Sequence, residues 1–334
     1  MNPLFNLIAK NPVSQSIEKA EAGLHARDDT LHPSAASPMR FEIVKESIKR
    51  GRDVPSGLPV PIIIHTMFGV RKALSSLKDN PVAPKTLADA GLLSEIEAAA
   101  RKLGASSVGY TKVPAQWVFQ GKAVMFDNAI VLTMEMDPKG IDSAPSLACQ
   151  RTVFATYRDL GRIANKLAGL LRSRGFGAHA GHPLDGQALY PPLAQMAGLG
   201  WLGMNGLIVT PEHGPRVRLA AVFTSIDNLP VCPHNEHSWV SVFCQTCRVC
   251  TSKCPPKALY EKPIDHGTGQ LTYVDNNLCF PYFYDYYGCS ICIKVCPFNH
   301  VPYHTLLNKY NKRSRPGMTV AGYPGAMDTN QKCI

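Results

Sequence analysis

Eight of the eleven cysteines lie within residues 244–296, and their spacing constrains this part of the chain more than any other feature. Four of them have the spacing C-x2-C-x2-C-x3-C before a proline: Cys244, Cys247, Cys250 and Cys254. In such a run three thiolates hold one [4Fe–4S] cluster and the fourth reaches a second cluster. Three more have the spacing C-x2-C-x3-C, again before a proline: Cys289, Cys292 and Cys296. With Cys279 upstream, the spacing predicts a ferredoxin-like module with two [4Fe–4S] clusters.

The crossed fourth ligand divides the eight thiols into two sets. The first thiol set is Cys244, Cys247, Cys250 and Cys296. The second thiol set is Cys254, Cys279, Cys289 and Cys292. A pair of zinc sites is the alternative, because zinc also takes four thiolates. Zinc motifs rarely place three cysteines at two-residue steps before Cys-Pro, so we favour clusters. The isolated cysteines, Cys149, Cys232 and Cys333, receive no role.

Composition leaves the partner open. The chain has 334 residues, 45% hydrophobic and 18% charged, with a formal charge of +10 and a pI near 9.1. A basic field attracts nucleic acid, anionic membranes or acidic substrates, but the basic residues are scattered rather than clustered. No stretch has the roughly 20 apolar residues of a membrane span, and no secretory or twin-arginine signal is visible. We therefore expect a cytoplasmic protein in which nucleic acid is not the favoured partner.

Apolar periodicity predicts a large domain before the module. Residues 87–103 and Gln150–Arg174 have helical spacing, the second with Gly175 as its stop signal. Strands are predicted at residues 106–109 and 129–136, and the apolar run at residues 61–70 is predicted to be a buried strand. The expected organisation is an N-terminal arm and extension (1–80, irregular to about 38), a large domain (81–235), the module (236–310) and a C-terminal tail (311–334).

Glycines are dense between Asp185 and Thr224, at positions 186, 198, 200, 203, 206 and 214. Glycine permits tight turns and close approach of the backbone to another group. The density suits a region that faces a ligand, although a set of structural turns would explain it equally well.

Four stretches together resemble the corrinoid-dependent iron–sulfur reductases, which comprise reductive dehalogenases and epoxyqueuosine reductases. They are the strand at residues 129–136, the helix from Tyr157 to Ala178, the segment from Ala197 to Leu219 with LIVTPEHGPRVRL, and the cysteine module with GCSICIKVCPFN. The resemblance covers about residues 100–300. The tract Gly-Pro-Arg-Val-Arg is similar to the dehalogenase branch, whereas Gly198 to Gly203 and Asn205 are similar to the epoxyqueuosine branch.

The resemblance implies an α+β fold, in which a nitroreductase-like domain holds a base-off corrinoid (cobalamin) and the two clusters reduce its cobalt. Its implied corrinoid-binding residues are Gly200, Asn205, Gly206, Gly214 and Arg218. The dehalogenase pattern makes Tyr157 the proton donor and Arg216 its basic partner, since a nearby cation stabilises a tyrosinate. The epoxyqueuosine pattern uses an aspartate instead, and Asp185 is the candidate.

We expect an oxidoreductase that reductively cleaves a carbon–halogen or related bond of a small-molecule substrate. Because the chain ends soon after the clusters, with no flavin reductase unit, an external electron donor of ferredoxin or flavodoxin type is expected. An epoxyqueuosine reductase acting on tRNA is the nearest alternative, which the net charge mildly favours. A non-catalytic iron–sulfur electron carrier is the third.

Overall fold

The structure is a computed structural model that describes residues 15–16, 19, 21–23, 59–231, 234–267 and 269–313. Most of the predicted arm (1–38) and tail (311–334) lies outside the described residues. The domain boundaries predicted from the sequence stay predictions.

The described chain is a mixed α/β structure. Its strands are β1 Ser107–Lys112, β2 Asn128–Glu135, β3 Ala178–Gly181, β4 Trp201–Leu202, β5 Ile208–Val209, β6 Val217–Thr224, β7 Leu259–Asp265 and β8 Leu271–Val274. Its α-helices are Val60–Ser75, Ala90–Lys102, Pro138–Asp142, Leu147–Ser173, Tyr190–Met196, Trp239–Cys247, Val249–Lys253, Asn276–Asp285, Ile291–Lys294, Pro297–His300 and Tyr303–Arg313. Short 3-10 turns lie at Ser76–Asp79 and Ala115–Trp117. The predicted strands at 106–109 and 129–136 and the predicted helix at 87–103 are confirmed, with bounds shifted by one to three residues.

A four-stranded antiparallel sheet in the order β1-β2-β6-β3 forms the centre of the large domain. Ile130 and Leu132 of β2 point into a core with the long helix Leu147–Ser173, whereas Ala129 and Val131 point into a core on the opposite face. Successive side chains of a strand alternate between faces, so a continuous apolar run is what a strand covered on both sides requires.

The long helix predicted at Gln150–Arg174 is confirmed as Leu147–Ser173. Ser146 caps its start, because the Ser146 hydroxyl accepts a hydrogen bond from the Cys149 backbone N–H at 3.1 Å. It ends at Ser173, and Gly175, just after the C-cap residue Arg174, has a φ of +87°, in the left-handed region that glycine adopts without strain. One face of the helix packs on the sheet, and its first turns reach the C-terminal module.

The strand predicted at residues 61–70 is wrong, because this segment begins the helix Val60–Ser75. Three consecutive isoleucines favour a strand by propensity, but the buried residues of the segment recur at helical spacing. These are Thr66, Val70, Ala73 and Leu74. Tertiary packing against the long helix therefore overrides the local preference for a strand.

The C-terminal part consists of short helices around the cysteines, with the hairpin β7–β8 beside them. An aromatic group centred on Trp239 joins it to the hairpin β4–β5 of the large domain. Trp239 lies 5.0 Å from Tyr303, 5.6 Å from Phe298 and 5.9 Å from Phe243, measured between ring centroids. Such packing gives the cysteine-bearing helices a fixed position against the large domain.

Among the described residues, no helix has both the length and the apolarity that crossing a membrane demands.

Candidate functional site

The first thiol set is brought together around one pocket. Cys244, Cys247, Cys250 and Cys296 line it with Phe243, Arg248, Pro297 and Phe298. Burial, together with the neighbouring thiols of Cys250 and Cys247, raises the pKa of Cys244 to about 12. Burial also raises the pKa of Cys296 well above its usual range, with added contributions from the same three thiols. Cys296 therefore lies with the first motif in space, although it belongs to the last motif in sequence.

The second thiol set also converges. Burial raises the pKa of Cys279 to about 11, with contributions from Cys254 and Cys289. Burial is likewise the main cause of the raised pKa of Cys292, which the thiols of Cys289, Cys250, Cys279 and Cys254 raise further. Because Cys250 of the first set raises the pKa of Cys292, the two sets are neighbours.

The grouping observed is the one that the crossed spacing predicts. None of the nine cysteines in the described part forms a disulfide. In the same part, no three His, Cys, Asp or Glu side chains are arranged to hold a single metal ion. Two adjacent sets of four thiols suit two [4Fe–4S] clusters, whose all-thiolate ligation matches this donor set. Each set would hold one cluster, and binding would displace the thiol protons.

Tyr157 shares an apolar cluster with one cysteine of the second thiol set. Tyr157, Leu207 and Cys292 each pack against this cluster, which includes Ile293 and Cys149. The guanidinium carbon of Arg218 lies 4.6 Å from the centroid of the Tyr157 ring. The Arg218 Nε is buried and has no hydrogen-bond partner among the described residues. A polar group of a bound substrate or cofactor at this position would complete its bonding.

Arg216 does not occupy the position beside Tyr157 that the sequence predicts for it. Its Nη2 donates a hydrogen bond to Glu135 Oε1 at 2.8 Å, and its Nη1 donates to the Asn299 backbone oxygen at 3.2 Å and to Asn299 Oδ1. Arg216 thus joins the end of β2 to the cysteine module. The structure places Arg218, rather than Arg216, against the tyrosine.

Asp185 forms an ion pair. Its Oδ1 lies 3.0 Å from the Lys122 Nζ, which also contacts Glu21. Burial tends to lower the pKa of Lys122, but Asp185 and Glu21 outweigh it, so the net shift is upward. The backbone of Asp185 has a φ of +59°, a conformation that aspartate tolerates better than most residues. The candidate aspartate is therefore held by a lysine at the start of a loop.

The predicted corrinoid-contacting glycines pack against protein atoms. A Cβ at Gly200 would lie 2.2 Å from the Val209 carbonyl oxygen, and one at Gly214 would lie 2.3 Å from the Phe298 carbonyl oxygen. At Gly206 it would lie 3.1 Å from the Tyr273 Cβ. These approaches explain the three glycines without a ligand, and their contact with a corrinoid stays a prediction.

Asn205 is buried and bridges the large domain to the module. Its Nδ2 donates a hydrogen bond to the Cys292 backbone oxygen at 3.4 Å, and its Oδ1 accepts one from the Leu207 N–H at 3.2 Å. Asn205 therefore fixes the loop that carries Leu207 next to Tyr157. Its predicted contact with a corrinoid is likewise untested.

Known proteins resemble the chain in sequence and in structure. A tetrachloroethene reductive dehalogenase from Desulfitobacterium hafniense is 32% identical over 216 residues, which are 59% of this chain and 37% of that protein. An epoxyqueuosine reductase from Gloeobacter violaceus is 29% identical over 153 residues, 43% of this chain and 46% of that protein. The homologues of the present chain are therefore reductive dehalogenases and epoxyqueuosine reductases. No family model matches the chain.

The fold agrees with the dehalogenase branch. The structure of the catabolic reductive dehalogenase NpRdhA, in complex with 3-bromo-4-hydroxybenzoic acid, matches 84% of this chain and 44% of its own chain with a TM-score of 0.63. The identity is 20%, so this match concerns the fold alone. The resemblance inferred from the sequence is thus confirmed, and it is closer to the dehalogenases. The chain spans less than half the length of these relatives.

Both families of relatives are oxidoreductases that use a corrinoid and two [4Fe–4S] clusters. Sequence reasoning missed Cys149, a member of the apolar cluster on which Tyr157 packs. Cys149 is fully buried at the start of the long helix, near Ser290 and Arg218. Burial raises its pKa, which the hydrogen bond with Ser290 opposes. No sequence signal linked this cysteine to the module.

Proposed function

We propose that the chain is a corrinoid- and [4Fe–4S]-dependent reductase of the reductive dehalogenase type. It replaces a carbon–halogen bond, or a related bond, by carbon–hydrogen. The overall step consumes two electrons and one proton and releases the halogen as halide. The observation that carries the proposal is that Tyr157 contacts Arg218 and packs on the same apolar cluster as Cys292 of the second thiol set. A proton donor and an electron route therefore meet at one place.

Tyr157 would supply the proton from its hydroxyl group. The guanidinium carbon of Arg218 stands over the ring, 4.6 Å from its centroid, as in a cation–π contact. Arg218 therefore holds the ring in one orientation. The corrinoid, when bound, supplies the low-potential reductant that acts on the substrate.

The thiol sets would deliver the electrons. Because Cys292 of the second set packs on the same apolar cluster as Tyr157, this set is the one nearer the candidate active site. The first set neighbours the second set, because the thiol of Cys250 raises the pKa of Cys292. Single electrons would pass from a cluster held by the first set to a cluster held by the second, and on to the site of bond cleavage.

Epoxyqueuosine reduction is the second candidate, and Asp185 is the observation that favours it. A non-glycine residue at φ +59° costs backbone energy, and such residues concentrate at functional sites. Yet the Asp185 carboxylate is already paired with Lys122. Tyr157 has no such competing partner in its contact with Arg218, so we favour the tyrosine.

The test compares Tyr157→Phe with Asp185→Asn in protein reconstituted with clusters and cobalamin. Halide release is followed with tetrachloroethene and 3-bromo-4-hydroxybenzoic acid, and queuosine formation with an epoxyqueuosine-modified tRNA stem loop. Tyr157→Phe is expected to lower halide release by about 10²-fold or more, the scale for losing a general acid. Asp185→Asn should lower it far less. Iron content and bound cobalamin, equal to wild type in both variants, show that the sites are intact.

Queuosine formation that survives Tyr157→Phe and collapses in Asp185→Asn would move the chain to the second candidate. Arg218→Lys serves as a matched variant, because it keeps the positive charge but replaces the planar guanidinium over the ring by an ammonium group. We expect it to retain more activity than Arg218→Met. No catalysis and no cobalamin binding by wild-type protein would favour an electron carrier.

A further inference from the structure

The outer side of the first thiol set is basic. Arg248 lines the pocket of this set and is 43% exposed, and Lys253 and Lys257 nearby are exposed. Residues 237–260 contain no aspartate or glutamate. The charge of +10 is scattered over the chain as a whole, but at this pocket three cations stand together without an acid in the same segment.

Two of the three cations, Arg248 and Lys257, are tied to the cysteine loops. The Arg248 backbone N–H donates a hydrogen bond to the Cys244 carbonyl at 3.2 Å, and its Nε donates to the Gln245 carbonyl at 2.8 Å. The Lys257 Nζ donates to the Ser252 carbonyl at 2.7 Å, next to Lys253. These bonds hold the charges close to the thiols rather than leaving them to sweep through solvent.

One acidic group faces the cations. Glu261 Oε2 lies 3.9 Å from Arg248 Nη1, but this glutamate is 84% exposed. Exposed pairs at such a distance contribute little and are readily exchanged for another partner. Lys262 follows Glu261 directly and offsets its charge. The surface therefore stays cationic.

The pocket beneath the cations is largely apolar, since Phe243, Pro297 and Phe298 line it with the thiols. An apolar centre with a charged rim is the usual composition of a transient protein interface. Cys292 of the second set packs on the same apolar cluster as Tyr157, whereas the exposed Arg248 lines the pocket of the first set, so we take the first set as the point at which electrons would enter. A carrier docked here would stand close to that point.

We propose that the face formed by Arg248, Lys253 and Lys257 docks an acidic one-electron carrier protein of the flavodoxin or ferredoxin class. The inference rests on the proposed function, because it needs a cluster in the first thiol set. The reduced carrier loses one electron, and that electron reduces the cluster. Two such encounters supply the two electrons of one bond cleavage. Complementary charge raises the encounter rate most at low ionic strength.

The experiment uses the full chain with both clusters and the variant Lys253→Glu/Lys257→Glu. Arg248 is left unchanged because it lines the pocket. The control, Lys102→Glu/Lys166→Glu, makes the same change of net charge at exposed positions of two helices in the large domain. Bleaching of the cluster absorbance is followed by stopped flow after mixing with reduced flavodoxin. The same proteins are also reduced with photoreduced deazaflavin, a small donor that needs no docking surface.

At low salt we expect the Lys253→Glu/Lys257→Glu protein to be reduced by flavodoxin about tenfold more slowly than wild type, while the control changes by less than about twofold. The difference should shrink at high salt, and the deazaflavin rates should be equal in all three proteins. Equal flavodoxin rates in the two variants would overturn the docking surface and leave the proposed function intact. Absence of bleaching with deazaflavin would instead remove the clusters, and both proposals with them.

Binding of fluorescent tRNA is measured on the same proteins. Loss of tRNA affinity in Lys253→Glu/Lys257→Glu, with an unchanged flavodoxin rate, would assign the face to nucleic acid and contradict the proposal. Loss of the flavodoxin rate with unchanged tRNA affinity would support it.

Discussion

Removing cysteines two at a time separates the crossed thiol arrangement from a sequential one. In the structure Cys296 groups with the thiols of the first motif, and Cys254 groups with Cys279 and Cys289. In a sequential arrangement, Cys254 would instead complete the first site and Cys296 the second. The two arrangements therefore predict opposite results for the same pair of double variants.

Cys247→Ala/Cys296→Ala removes two ligands of one site if the arrangement is crossed. A [4Fe–4S] cluster needs four ligands, so this protein should lose one cluster and keep about four of about eight irons. Cys247→Ala/Cys254→Ala removes one ligand from each site and should lower the iron content of both. Iron and acid-labile sulfide are measured on anaerobic protein, and paramagnetic resonance of the reduced form reports how many clusters remain.

Cys149→Ala is the control, because Cys149 belongs to neither set and should leave the iron content unchanged. A retained cluster in Cys247→Ala/Cys296→Ala also shows that the module still folds. The reasoning is refuted if that variant loses both clusters while Cys247→Ala/Cys254→Ala keeps one complete cluster.

Three further predictions concern stability. Gly161→Ala should lower the free energy of unfolding by about 1–3 kcal/mol, since the new Cβ would lie 1.9 Å from the His182 Nε2. Gly169→Ala, on the same helix, is the control: its Cβ would meet nothing within 4 Å, so the free energy of unfolding should not fall. Urea titration of both variants measures the difference. Burial lowers the pKa of His179 to about 3, so folding excludes its proton and stability falls as the pH drops from about 6.5 towards 3. At pH 5 the exclusion of this proton costs about 2 kcal/mol of folding stability relative to pH 7. His179→Leu should lack this contribution and therefore lose about 2 kcal/mol less than wild type between pH 7 and pH 5. An equal loss in the two proteins would contradict the assignment. Arg216→Gln should lower the midpoint of urea unfolding by an amount equivalent to about 1–3 kcal/mol, because both partners of the guanidinium are left without it; an unchanged midpoint would argue against its bridging role.

The sequence predicted the parts of the molecule whose signals are local. The steps between cysteines grouped the thiols, including the exchange of Cys254 and Cys296 between the motifs. The continuous apolar run of β2 and the stripe of the long helix predicted the sheet and the helix packed on it. Within each cysteine motif, strand and helix, the residues that carry the signal lie within a few positions of one another.

Features that depend on distant partners were not predictable. Arg216 and Arg218 are two positions apart, and one precedes β6 while the other lies within it. Which of them meets Tyr157 depends on the register of β6 against β2, where Arg218 lies opposite Met134. Gly214 is explained by Phe298, a residue of the module. The helix at Val60–Ser75 depends on its contact with the long helix rather than on its own propensity.

The exchange of Cys254 and Cys296 also has a consequence for biosynthesis. While the chain is emerging from the ribosome, the first motif offers three thiols to one site and one thiol to a site whose other ligands are still to be made. The second set is complete only when Cys292 has been translated, and the first only when Cys296 has, so iron and sulfide inserted earlier would find an open site. The same exchange affects damage: if oxygen destroyed one cluster, a freed cysteine would remain in the segment that holds the other.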